Sequence, residues 1–121
     1  MNIEYVKKLS EQLCMDNPDA LVVFGDNLIG KGKAGQACIR DMPNAYGIPT
    51  KRLPSMKENS FFSDQPSEIR IVKQKIKTLK TSDKDIIMPV HQIGSGLAQL
   101  KYRSPMIWKI ITKELYKEVT K

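Results

Sequence analysis

Two glycine-rich stretches carry the residues best suited to chemistry. In the first, Gly25, Asp26 and Asn27 end an apolar run, and Gly30, Lys31, Gly32, Lys33, Ala34, Gly35 and Gln36 follow within eleven residues. Glycines let the backbone bend through positive φ, so that several N–H groups can turn toward one bound group. Ala34 to Asp41 is expected to start a short helix, whose unpaired N–H groups and positive dipole end favour a phosphate or diphosphate. Three glycines and two lysines within six residues exceed what a plain surface turn needs, although such a turn is the simpler alternative. The second stretch is Ile93-Gly94-Ser95-Gly96-Leu97, just after His91.

Gly25 to Lys31 also matches the phosphate-loop pattern G-x-x-x-x-G-K, but Gly32 stands where that motif needs Ser or Thr to hold magnesium. The apolar run at Ile86 to Val90 leads into His91 rather than an Asp. A nucleoside triphosphatase is therefore a minor alternative.

The elements that must position these loops can be read from apolar spacing. Ile3, Val6, Leu9 and Leu13 predict an opening amphipathic helix that ends before Asn17-Pro18. Ala20 to Phe24 suits a strand buried on both faces, and Tyr46 to Pro49 a short extended piece that delivers Thr50 and Lys51. Residues 52–64 lack any period and are expected to form a loop or lid. Its Phe61 and Phe62 either stack on a base or ribose or plug the core. Ile69, Val72, Ile76 and Leu79 mark a helix from about Pro66 to Lys80, with Lys73, Lys75, Lys77 and Lys80 on its wet face. Ile86 to Val90 suits a buried strand. Ser104-Pro105 opens a closing helix with Ile107, Ile110, Ile111 and Leu115 inward, running through Val119.

This order predicts an α/β fold, a single compact domain with a mostly parallel sheet flanked by helices. Ligands of such sheets sit outside the carboxyl ends of the strands, where both glycine loops fall. Two backbone nests there could hold the two phosphates of a nucleotide diphosphate.

With 121 residues and 40% hydrophobic content the chain suits one modest core. Twenty Lys and Arg against 13 Asp and Glu give +7, which favours nucleotides or nucleic acid as partners. No nucleic-acid motif or interleaved aromatic platform accompanies the charge. Cys14 and Cys38 are expected to be buried free thiols, and no metal or cofactor is implied. The opening residues lack the apolar core of a signal peptide and no run reaches membrane-spanning length, so a cytoplasmic protein without membrane contact is expected. His91 either acts as an acid or base beside a ligand or bonds backbone at a strand end. Tyr102 has a similar choice between stacking and structure, while Trp108 reads as core or interface.

Three segments together resemble macrodomains. GDNLIGKGKAGQA is similar to their first ligand loop, MPVHQIGSGLAQLKY to their diphosphate-binding loop, and Ile48-Pro49-Thr50-Lys51-Arg52 lies between them in the right order. The likeness spans roughly residues 20–116 and is strongest to the branch of terminal ADP-ribose protein glycohydrolases and DNA ADP-ribosylation antitoxins, and to small macro-like bacterial and phage proteins.

The resemblance implies a macro-like domain that binds ADP-ribose or a related nucleotide. Asn27 and the loop Gly32, Lys33, Ala34, Gly35, Gln36 would approach the distal ribose, and Gly94, Ser95, Gly96 and Leu97 would cradle the diphosphate. Lys51 stands where that branch has its catalytic lysine, and a desolvated lysine can attack a ribose carbon. Two departures accompany the likeness. The family's catalytic acid position is Ala98, which moves no proton, leaving Asp26 as the substitute acid; and macrodomains open with a strand ending in an acidic residue, not a helix. Hydrolysis of ADP-ribosyl linkages on a protein or nucleic acid, a non-catalytic or sequestering nucleotide-binding module, and a basic nucleic-acid-binding accessory protein are the functions in play.

Overall fold

Alternating burial on both faces of a sheet organises the chain, as a computed structural model describing residues 2–117 shows. Four parallel strands lie in the order β1-β4-β2-β3: β1 (Ile3–Val6), β2 (Leu21–Asn27), β3 (Ala45–Lys51) and β4 (Ile86–Pro89). Successive side chains of a strand point to opposite faces. Val23, Ile86 and Met88 therefore enter one core with Val72, Ile76, Ile107 and Ile111, while Val22, Phe24 and Ile87 enter a second with Leu9, Cys14 and Ile39. Helices cover both faces, which is why the central strands read as unbroken apolar runs.

The first core lies under α2 (Pro66–Thr81) and α4 (Pro105–Leu115), the second under α1 (Glu11–Asp16) and a 3-10 helix, Gly35–Ile39. The α/β class and parallel sheet expected from the sequence are the observed ones. So are the central strands and the starts of α2 and α4. A short helix, α3 (Leu100–Arg103), precedes α4 and was not anticipated.

The opening helix is corrected. Ile3–Val6 forms β1, in register with Ile86–Pro89 of β4, and the helix is confined to α1. Ile3-Glu4-Tyr5-Val6 alternates as a strand does, and pairing with β4 outweighs the weaker three-and-four spacing. Ser10 then caps α1, its Oγ accepting the Leu13 N–H at 3.1 Å. The helix stops at Asn17-Pro18 as expected, with Asn17 Nδ2 donating to Leu13 O at 2.9 Å.

Two smaller corrections concern the ligand loop and β3. The helix expected over Ala34–Asp41 is a five-residue 3-10 turn, Gly35–Ile39, without a side-chain cap. The short extended piece expected over Tyr46 to Pro49 is β3, which runs Ala45–Lys51, so Thr50 and Lys51 belong to it rather than follow it. Val119, expected in the last helix, lies outside the described residues.

The start of α4 illustrates a contact that local sequence hides. Ser104 is the N-cap position, yet the Met106 and Ile107 N–H groups donate to Asp64 Oδ2 and Oδ1 at 2.9 and 3.0 Å. Ser104 Oγ instead accepts from the Asp64 N–H at 3.1 Å. Buried Glu68 holds the preceding loop, accepting from Ser63 N–H at 2.8 Å and pairing with Arg52 at 2.5 Å. Phe61 and Phe62 are buried, 3% and 1% exposed, so of their two readings the core plug is the one observed. Cys14 is buried and Cys38 only half-buried, both as free thiols.

Candidate functional site

The chain leaves β2 toward the 3-10 helix on one face of the sheet and leaves β4 toward α4 on the other. Because β2 and β4 are neighbours, their loops diverge and open a crevice at the carboxyl edge. The crevice is a cleft of about 440 Å³. Asp26, Asn27, Gly32, Lys33, Ala34, Gly35 and Gln36 line it from the first loop, Lys51 from β3, and Gly94, Gly96 and Leu97 from the second loop. Of the sequence-predicted site residues, Ser95 is outside the lining.

Gly25 marks the meeting point. A Cβ placed there would lie 3.5 Å from Gln36 Oε1, 3.5 Å from Thr50 Oγ1 and 3.6 Å from Gly94 N, so four segments converge within contact distance of one atom. The Gly25 N–H donates to Gln36 Oε1 at 3.0 Å, tying the 3-10 helix to the strand end.

Asn27 organises the first loop from within. A bulge between Asp26 and Asn27 places Asn27 opposite Lys51, and its buried Oδ1 accepts from Ile29 and Lys31 N–H at 3.2 and 3.4 Å. Its Nδ2 donates to Lys31 O at 2.8 Å. Gly30, Gly32 and Gly35 then take positive φ, as a loop folding back on a strand end requires.

Arg40, missed from sequence, fixes that loop from outside. Its Nε donates to Gly32 O at 2.7 Å, its guanidinium pairs with Asp26 at 2.6 Å, and it lies 5.4 Å from the Phe24 ring centroid. Asp26 Oδ1 also accepts the Asn27 N–H at 2.7 Å, so this carboxylate braces the loop. Nothing in the local pattern distinguishes Arg40 from other surface cations; its partners lie eight to sixteen positions earlier.

The second loop is shaped by Gly94, at φ +86°, whose missing side chain admits buried Leu100: a Cβ there would stand 2.3 Å from Leu100 Cδ1. Leu100 N–H donates to Gly94 O at 3.0 Å and closes the turn. Among the described residues the N–H groups of Gly96, Leu97 and Ala98 have no acceptor, nor do those of Gly32 to Gln36. Among the described residues Lys31, Lys33, Arg40 and Lys51 line the same cleft against one carboxylate, Asp26. Lys33 is paired at the surface with Asp41 at 2.5 Å. Backbone donors and cations thus surround a space suited to an anionic group.

Lys51 Nζ donates to Ser55 O at 2.5 Å and lies 4.8 Å from the Phe61 ring centroid. Arg103 stacks on the same ring at 3.7 Å and grips Glu58 with two bonds of 2.9 and 3.0 Å. Burial first, and the Arg103 charge second, hold the Lys51 ammonium below the usual lysine range. That enlarges its neutral, nucleophilic fraction. Ala98 is buried at the cleft wall, exposed His91 and Tyr102 are outside the lining, and Trp108 packs against the main core. Among the described residues no group of three His, Cys, Asp or Glu is placed to hold a metal ion, and no helix is long and apolar enough to cross a membrane.

Residues 4–114 match a family of unknown function, DUF7831. The chain belongs to that family. No curated protein and no solved structure matches it. Gln36, Arg40 and Thr50 are the features of this DUF7831 member that sequence reasoning either placed loosely or did not single out, and each acts through a partner distant in the chain.

Proposed function

We propose that the cleft binds a nucleotide diphosphate of the ADP-ribose class, as a binding or sequestering module. The observation that carries this reading is the convergence of two glycine loops in which the N–H groups of Gly32 to Gln36 and of Gly96 to Ala98 lack acceptors among the described residues, in a cleft lined by four cations. Such nests satisfy phosphate oxygens without needing a metal. The resemblance to macrodomains supports the same ligand, and one of its departures falls away because the opening element is β1, although Lys7 and Lys8 rather than an acid follow it.

Hydrolysis through Lys51 is the second reading, favoured by its lowered pKa. Binding without turnover is preferred because Ala98 supplies no acid and Asp26 Oδ1 is engaged by Arg40 and by the Asn27 N–H.

Calorimetric titration with ADP-ribose, with AMP and ATP as controls, tests the proposal. The informative variant is Gly96→Glu. Position 96 has open space around an added Cβ, so a carboxylate there competes for the loop N–H groups without a packing clash, whereas Gly94→Glu would collide with Leu100. Saturable ADP-ribose binding, weakened at least tenfold by Gly96→Glu, is expected. Absence of heat with wild-type protein overturns the proposal. Turnover of an ADP-ribosylated substrate that disappears in Lys51→Ala, with affinity retained, would establish the hydrolytic reading instead.

A further inference from the structure

A second concavity, of about 500 Å³, lies between the later turns of α2 and α4 and shares no residue with the cleft. Lys73, Lys77 and Lys80 enter it from α2 at successive-turn spacing, forming a stripe about 10 Å long, and Lys113 faces them from α4. Among the described residues Glu114 is the single acid in the lining, and it is already paired with Lys80. Lys73, Lys77 and Lys113 form no ion pair among the described residues. Among the described residues, four lysines against one glutamate therefore give the groove a net charge of +3.

We propose that this groove docks the phosphate backbone of duplex nucleic acid, independently of what the cleft binds. The lining selects this occupant by what it offers. Among the described residues that line it there is no aromatic ring on which an unpaired base could stack, which disfavours single strands. Nor do those residues include an amide side chain or arginine fork able to read a base edge, so recognition rests on charge and is indifferent to sequence. Its apolar floor is Ile76, 3% exposed, and half-buried Ile110, too little surface to hold the apolar face of a partner helix. What is left is a groove bordered by four lysines and one glutamate that is already paired, complementary in charge to a repeating anion. Lysines that neutralise phosphates release condensed counterions, so binding should weaken steeply with salt.

The test is fluorescence anisotropy of a labelled 20-base-pair DNA duplex, titrated with full-length protein at several salt concentrations. The variant Lys73→Gln/Lys77→Gln/Lys113→Gln is compared with Lys7→Gln/Lys8→Gln/Lys57→Gln, which removes the same charge from exposed positions outside groove and cleft. Wild-type protein is expected to bind. The groove variant should lose at least tenfold in affinity at about 100 mM salt, and its slope of log K against log salt should flatten by about 3. The control should lose less than threefold. Should the triple variant melt early, Lys77→Gln alone should flatten the slope by about 1. Failure of wild-type protein to bind duplex at low salt, or an equal loss in groove and control variants, overturns the proposal. ADP-ribose titration of the groove variant reads the cleft separately, so the two proposals fail independently.

Discussion

Replacing single glycines by alanine separates backbone conformation from packing at the cleft. At Gly94 the added methyl meets two penalties. The φ of +86° is one that L-residues adopt at a cost of roughly 1–2 kcal/mol, and a Cβ 2.3 Å from Leu100 Cδ1 and 2.8 Å from Cγ forces a fully buried side chain to move. Overpacking of this kind costs about 1–3 kcal/mol. The reduced freedom of the unfolded chain offsets about 0.4–1 kcal/mol, leaving a net loss of about 1–4.6 kcal/mol. For a domain of this size that lowers Tm by roughly 4–18 °C. Gly35 has φ +59° but nothing within 4 Å of an added Cβ, so Gly35→Ala should cost about 1 kcal/mol. Gly96 has neither problem and should be neutral within about 0.5 kcal/mol. Urea unfolding of the three variants, followed by far-UV circular dichroism, gives the order directly. A Gly94→Ala loss no larger than that of Gly35→Ala would refute the argument from Leu100, and a comparable loss at Gly96 would refute the conformational argument as well.

Arg40→Ala removes the ion pair to Asp26 and the bond to Gly32 O; a loss of about 1–3 kcal/mol is expected, with amides 29–31, which are bonded to Asn27, exchanging faster in hydrogen-exchange mass spectrometry. Unchanged exchange there would mean that Arg40 does not hold the loop. Limited acetylation at pH 8 should modify Lys51 ahead of Lys7 and Lys8, and Arg103→Gln should slow it, because the Arg103 charge helps depress the Lys51 pKa; mass spectrometry of the digest measures both. Burial raises the Tyr116 pKa above its ordinary 10.0, so the fold favours the neutral phenol, whose hydroxyl donates to Pro89 O at 2.7 Å. That contribution is complete below pH 10 and is lost as pH rises beyond it, so the urea midpoint should decline above about pH 10 and decline less in Tyr116→Phe. Tyr46, also raised by burial, leaves a residual slope in that variant.

Elements whose signals are local were legible from the chain itself. Helices α2 and α4 bury three or four side chains at helical spacing, and β2 and β4 are short apolar runs because both faces of each are covered. Glycine loops were legible for a steric reason: Gly30, Gly32, Gly35 and Gly94 all occupy positive φ, which few other residues adopt without strain. What escaped the sequence depended on partners remote along it. Strand β1 exists because β4 pairs with it, Asp64 caps a helix that begins at Pro105, and Arg40 and Gln36 reach back to β2. Residue type and spacing determined that two loops of this chain would expose backbone donors at strand ends. Only the tertiary structure decided that those loops share one cleft, because strand order is set by long-range hydrogen bonding and core packing, and it is the adjacency of β2 and β4 that brings Gly25 within reach of Gly94.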